Sequence, residues 1–536
     1  MPRVSLLEKP LGGMGLDYTQ SNSAAIEAGK DQYTRSTGVN LFNIGKIGHI
    51  SPAETFDQVM TDTNSYVVSV PRAEATKFDA TTLTYLMLGG AASAAPRVIR
   101  STTFPTAPDL NQTITAHGGG NFTSLPVTGY WGEDIVTYKA NNGSSAATDY
   151  LFYSWNDSVG GDVGRYDFTT FDDDFMSQVA TGGSNTYLVA AVPHRMLVAP
   201  NNHLYITNGQ YLAEFKGATA NNGTINRTAM NLGNGYVSVD IKRYGNYIAV
   251  LSNRSVGSNL ENAKTFNGEA RLSLIKANTS LADNPEFVYP IPDNYASAMI
   301  VLDTIYIFTQ GKNNTVKILK FNGQSFTTLP GSEHHTSKIG NAPLPNCVEF
   351  YKDMIVWSPQ NATGGYLCSY GPMSSKSRGV HIPYILTDGT NTTTEVGMVK
   401  NIEQVRLWAG VKYSSTYKLA NISGSGGYFV NGVLRTRLYT FPHYATINKF
   451  LFYFSQLGTG ASIHIALYRD YDTTTDLLNY TISNAKFGSA REVSVPVNLT
   501  GVESFYLKIT FNHTSITNTA AVIRKVEMDY TPTNQT

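Results

Sequence analysis

A few short stretches of this chain hold residue types from which chemistry is built. His117-Gly118-Gly119-Gly120 has the letters of an esterase oxyanion loop. Such a loop works beside a Gly-x-Ser-x-Gly elbow set between a strand and a helix. The sequence has no such elbow, so the stretch reads as a plain glycine loop. Glu333-His334-His335 offers metal-ligating groups. Neighbours on an extended strand point to opposite faces, so two adjacent imidazoles rarely share one ion. They follow Leu329-Pro330-Gly331 and read as solvated loop residues. Asp172-Asp173-Asp174 and the set Asp470, Asp472 and Asp476 present the hard oxygens that Ca2+ prefers. Neither has the glycine and closing glutamate of an EF-hand loop.

Glycoside hydrolysis uses two carboxylates brought together from different strands, which spacing does not reveal. Tyr130, Trp131 and Trp155 are side chains of the kind that stack on sugar rings. Phosphate-loop and zinc-ligand spacings are missing from the sequence. The expectation is a chain with no catalytic, cofactor-binding or metal-binding residue to assign, and no cofactor.

Strands must position whatever these groups do. The clearest are in residues 298–330, where Ile300, Leu302, Ile305 and Ile307 alternate with other positions around Asp303-Thr304. A second turn, Gln310-Gly311-Lys312-Asn313-Asn314, leads into Val316, Ile318, Leu319 and Phe321 before Asn322-Gly323. Period-two apolar runs joined by Asp, Asn and Gly make an antiparallel meander. Related units occupy 196–217, 237–253, 347–370 and 396–419, with second strands centred near Tyr205, Ile248, Tyr306, Ile355 and Arg406. A recurrence of about 40–50 residues with several strands per unit is the pattern of propeller blades, each of which needs a neighbour to cover its apolar face.

Charged residues make up 15% of the 536 positions, and 40 basic side chains balance 40 acidic ones. That argues against a nucleic-acid binder, whose footprint is a clustered basic surface. The 33 tyrosines and 47 glycines fit turn-rich antiparallel sheet. The first residues show no apolar leader segment, and the uncharged run 81–96 is too short to span a bilayer. The expectation is a cytosolic product with no membrane-spanning segment, in which Cys347 and Cys368 are buried thiols on neighbouring strands of one blade.

The reading is an all-β chain in three parts. Residues 1–50 form an extended N-terminal arm, glycine-punctuated and docked on a neighbour or free. Residues 51–422 form an irregular β-propeller. Residues 428–536, after Gly424-Ser425-Gly426-Gly427, form a C-terminal, jelly-roll-like β-sandwich with Ile463, Ile465, Leu467, Tyr506, Ile509 and Phe511 facing its core. The long linkers 104–124 and 162–185 are the places where binding loops are expected.

The leading segment Asn40-Leu41-Phe42-Asn43-Ile44-Gly45-Lys46-Ile47-Gly48-His49-Ile50, the blade units, and the endings Phe505-Tyr506-Leu507-Lys508-Ile509 and Ile523-Arg524-Lys525-Val526-Glu527-Met528 together resemble tail proteins of tailed bacteriophages. The likeness is greatest to the nozzle or tail-hub stabilisation proteins of short-tailed phages. It rests on architecture over most of the chain. It implies a structural virion protein made in the host cytoplasm. It further implies a homo-oligomeric ring, a hexamer among the stoichiometries left open, that joins adaptor or fibre proteins and meets nucleic acid only as DNA passing through the tail channel. The competing reading is a carbohydrate-binding or glycan-degrading propeller, either an adhesin or a glycosidase.

Overall fold

The computed structural model describes short segments between residues 3 and 101 (3–7, 13–14, 32–37, 39–40, 51–52, 56–62, 67–69, 84–88 and 97–101). It then describes 131–140, 148–156, 160–166, 171–172, 175–178, 188–217 except 191, and 223–533 except 255–268, 277–280, 282–283, 293–294, 361–364, 375–378, 387–392, 403–405, 414–415, 423–430, 437, 470–473, 488 and 514–521. His117–Gly120, Tyr130, the linker 104–124 and the Gly424–Gly427 break lie outside the described residues.

Six antiparallel sheets, five of four strands and one of five, follow one another between the described residues of 56–422. Blade 1 holds Trp131–Ala140, Thr148–Asn156, Gly161–Tyr166 and Phe171–Asp172. Blade 2 holds Met196–Val198, Leu204–Asn208, Tyr211–Gly217 and Gly223–Asn231. Blade 3 holds Tyr236–Tyr244, Tyr247–Arg254, Ala270–Lys276 and Phe287–Ile291. Blade 4 holds Tyr295–Val301, Ile305–Gln310, Thr315–Phe321 and Phe326–Thr328, widened by His334–His335. Blade 5 holds Val348–Tyr351, Met354–Trp357, Tyr366–Gly371 and Gly379–Ile385. Blade 6 holds Thr393–Ile402, Arg406–Tyr413 and Thr416–Ile422, and its outer strand is Phe56–Asp62 from the start of the chain.

The first strand of each blade lies against the first strand of the next. A three-stranded sheet, Val67–Ser69, Thr84–Leu88 and Arg97–Ser101, stands between blades 6 and 1 and touches both, which closes the circle. This is a β-propeller, and the early strand in blade 6 fastens its two ends.

Blade stacking explains the burial. Ile305, Ile307 and Leu319 pack with blade 3, whereas Tyr306, Phe308 and Ile318 pack with Trp357 and Tyr370 of blade 5. Both faces of the strand are dry. Cys347 and Cys368 divide in the same way, belonging to the apolar clusters on opposite sides of blade 5. Both are buried free thiols, as the sequence reading held, though Cys347 sits in the turn Pro345–Cys347 before the first strand. Burial pushes the Cys347 thiol up to about 12 and raises that of Cys368 as well.

Most of the remaining described strands form a nine-stranded sheet. Glu492–His513 is its spine: the first half pairs with Tyr439–Phe454, the second with Ala461–Arg469 on one edge and Asn431–Thr436 on the other. The expected sandwich of two sheets is not confirmed: the strand pairing runs continuously through all nine strands. These strands enclose a single core in which Phe450, Phe452 and Val526 meet Ile463, Ile465, Leu507, Ile509 and Phe511. Tyr506 is buried in a separate small cluster with Leu438, Ala466 and Tyr468.

The arm also departs from expectation. Arg3–Leu7 pairs antiparallel with Ile523–Pro532, and Gln32–Thr37 with Asn431–Thr436. Leu6 is 1% exposed within the core, and the Tyr439 hydroxyl donates to its carbonyl at 2.7 Å. One large apolar side chain with a strand edge to pair on is enough to seat the strand within its own chain. Val39–Asn40 pairs with Ser51–Pro52 across the leading segment.

Candidate functional site

Two polar centres mark the ends of the propeller. The first lies where the blade-to-blade connections reach the ring axis. A bulge in the first strand of blade 1 leaves Glu133 as an extra residue between Gly132 and Asp134. Its carboxylate accepts from the His194 backbone N–H, and from Asn156 Nδ2 at 3.4 Å. Its carbonyl accepts from Arg195 at 2.6 Å and from Asn346 Nδ2 at 3.0 Å. Arg195 leads into blade 2 and Asn346 into blade 5. Blades 1 and 5 are not neighbours in the circle, so the Asn346 bond crosses the axis.

The His194 imidazole is fully buried with Nδ1 2.9 Å from the Thr207 carbonyl and Nε2 3.1 Å from that of Val189. Its Nε2–Cδ2 edge lies against Gly161, where an added Cβ would come within 2.0 Å of Nε2. Glycine is needed there for space.

The second centre is a knot in blade 2 at the opposite end. Glu214, 4% exposed, accepts from the Tyr205 hydroxyl at 3.0 Å, His203 Nδ1 at 2.8 Å and Lys216 Nζ at 3.0 Å. Asn201 Nδ2 donates to the Tyr205 oxygen at 2.7 Å. Burial first, and then Glu214, raises the Tyr205 phenol well above its ordinary range. A carboxylate filled by three donors holds the blade's edge together. The first centre was not found from sequence, because the partners of Glu133 lie 23 to 213 residues away.

The residues singled out by the sequence do not gather. His334 and His335 form a two-residue strand against Val316 and Thr315, so their side chains do face opposite ways. The solvated-loop reading fails for His334, which is 3% exposed and stacked on Trp357 with ring centres 6.1 Å apart. Burial pushes it down to about 4. His335 is half-buried and caps the turn Thr336–Ile339 by accepting from Ser337 N. The linker 162–185 is no binding loop in its described parts. It supplies the third and fourth strands of blade 1 and the turn Phe175–Gln178, with Phe175 buried against Phe152 and Phe215. Asp172 ends the short outer strand, and Asp173, Asp174, Asp470 and Asp472 lie outside the described residues. Asp476 accepts from Asn479. Trp155 is 1% exposed in blade 1 and is not offered to a sugar. Among the described residues no three His, Cys, Asp or Glu side chains converge as a metal site, and no helix is long and apolar enough to cross a membrane.

The circle of blades defines a β-propeller protein. No family model matches the chain, and no curated protein does. Solved structures similar to it include the Dos1 propeller, at 10% identity over 69% of this chain and 94% of that one with a TM-score of 0.38. The WD40 β-propeller domain of Doa1 gives 9%, 68%, 97% and 0.36. An exo-β-1,3-galactanase from Phanerochaete chrysosporium gives 9%, 66%, 98% and 0.29.

Proposed function

We propose that this chain is a structural subunit of a larger homo-oligomeric assembly rather than a catalyst, and that the assembly is a bacteriophage tail. The observation that supports the subunit reading is the tie across the ring axis. In a ring-shaped fold the axial mouth is the natural concave site for a ligand. Here Glu133, Arg195 and Asn346 use their polar groups to join blades 1, 2 and 5. The termini add to it, since the first strand is laced into the sheet that ends the chain, with Arg3 bonded to Asp529 at 3.0 Å. The phage-tail part rests on the sequence resemblance.

The test is the mass of the purified full chain by analytical ultracentrifugation, followed by electron microscopy of any species larger than a monomer. A closed ring supports the reading. A strict monomer at all concentrations, with turnover of a polysaccharide that Glu133→Gln abolishes, replaces it with the glycan-degrading alternative.

A further inference from the structure

Between blades 4 and 5, on the face formed by the tight turns of the first hairpins, lies a cleft of about 300 Å3. Leu302, Phe350 and Met373 form its apolar wall, half-buried over the blade 4–5 core. Its polar side carries Asp303, Lys320 and Asp353.

These three charges are unequal in what they have left to offer. Asp303 is already matched: Oδ1 accepts from the Tyr306 hydroxyl at 2.7 Å, and Oδ2 lies 3.4 Å from Lys320 Nζ. Burial alone would raise Asp303, but Tyr306 and Lys320 outweigh it and hold the carboxyl below its ordinary range. Asp353 has no cationic partner among the described residues. Its Oδ2 accepts from the Ser374 N–H at 3.1 Å and from the Ser374 hydroxyl, and its Oδ1 takes no hydrogen bond from the described residues. The backbone fixes its aim: Lys352 and Asp353 both have positive φ, 47° and 64°, in the two-residue turn from Tyr351 to Met354. Lys352 leans over the Tyr351 ring, 5.1 Å from its centre. Among the described residues the cleft therefore carries one uncompensated negative charge beside an apolar wall and the Phe350 and Tyr306 rings. A carboxylate with a free oxygen beside such a wall suits an ammonium or guanidinium group on a short apolar stem.

We propose that this cleft is a binding site for an organic cation of that kind, with Asp353 as the recognising carboxylate. The cation is a free amine or a basic side chain presented by a polypeptide. The site does not depend on the subunit reading given above.

Titration of the full-length protein with n-butylguanidinium and n-butylammonium, followed by calorimetry and by shifts of the Phe350 and Met373 resonances, tests it. Saturable binding is expected. Asp353→Asn should weaken it about tenfold or more. Lys320→Met, which leaves Asp303 unpaired, should tighten it several-fold, and Phe350→Ala should weaken it several-fold. Circular dichroism melts confirm that each variant is folded. N-acetylarginine amide binding more tightly than n-butylguanidinium marks a polypeptide source, and equal binding marks a free amine; both support the site. Absence of saturation, affinity unchanged in Asp353→Asn, or preferential binding of butyrate would overturn it.

Discussion

The propeller and the terminal sheet solve the same problem in different ways. In blade 4, Ile305–Gln310 is buried at five consecutive positions because another blade covers each face. In the terminal sheet, Ala461–Arg469 begins buried, half-buried, buried, half-buried, and half of its partner Asp476–Ser483 is exposed. Adhesion between blades is therefore distributed, and much of it comes from side chains reaching to a neighbour's backbone. Asp134 Oδ2 accepts from Met196 N in blade 2, and Asp240 Oδ2 from Met299 N in blade 4, each at 3.0 Å and each just past a bulge. Asn253 clamps both the N–H and the carbonyl of Ala296 at 2.8 Å. The terminal sheet instead has one core and is fastened by the two ends of the chain.

The largest expected effect comes from charging the dry strand. Ile307 is 0% exposed, and Ile307→Asp leaves an unpaired carboxylate between two blades at a cost of several kcal/mol. Soluble yield and Tm should collapse, while Ile305→Val, which only trims a methylene, should cost about 1 kcal/mol. Equal Tm values for the two would show that blade 4 does not bear on its neighbours as described.

The matching change in the terminal sheet is Leu6→Ala. It removes a buried side chain from the first strand and should cost about 2–4 kcal/mol. The loss should appear as faster amide exchange along Ile523–Pro532, with blade 3 unaffected. Exchange that rises equally in blade 3 would mean that the two regions unfold as one unit.

Asn253→Ala isolates the blade-to-blade clamp. It strands two buried backbone groups, for about 2 kcal/mol or more. Asn226→Ala, at an exposed turn-like site, should change stability by less than about 0.5 kcal/mol. Denaturant midpoints of the pair measure the difference, and equal midpoints would remove the clamp from the account.

How much of this was legible follows from the same contrast. Five second strands were visible because their apolar runs recur, and each lies in a blade. Blade 1 was not among the recurring units, since its third strand, Gly161–Tyr166, has little apolar pattern, with Asp162, Gly164 and Arg165 inside it. Asp134, Asp240 and Asn253 looked like ordinary polar residues, because their targets are backbone groups that no residue type announces. The arm misled for a related reason: Arg3–Leu7 is too short to show a period, and its pairing partner lies more than 500 residues away. His334 misled because a preceding Pro-Gly signals a turn but says nothing of what packs over the next residues.

The smallest effect, and the sharpest separation of the regions, comes from acid. The first strand is held partly by charge: Arg3 bonds to Asp529, which also pairs with Lys449, and Glu527 pairs with Lys525. Burial works to raise both carboxyls, but the hydrogen bonds and charges from Arg3, Lys449, Lys525 and Tyr453 prevail and leave both below their ordinary range. Depressed carboxyls stabilise the folded state above the unfolded value, near pH 4, and that contribution is lost as the pH falls through the lower folded values. Arg3 is half exposed, so water and salt screen the pairs and the effect is modest. The Asn253 clamp on Ala296 is a neutral amide–backbone contact with no proton to gain. Between pH 5 and pH 3, amide protection of Val4 and Leu6 should therefore fall before that of Ala296, and added salt should reproduce part of the loss at pH 5. Loss of protection at Ala296 first would show that the ion pairs do not hold the strand and that Leu6 and the Tyr439 bond alone keep it in place.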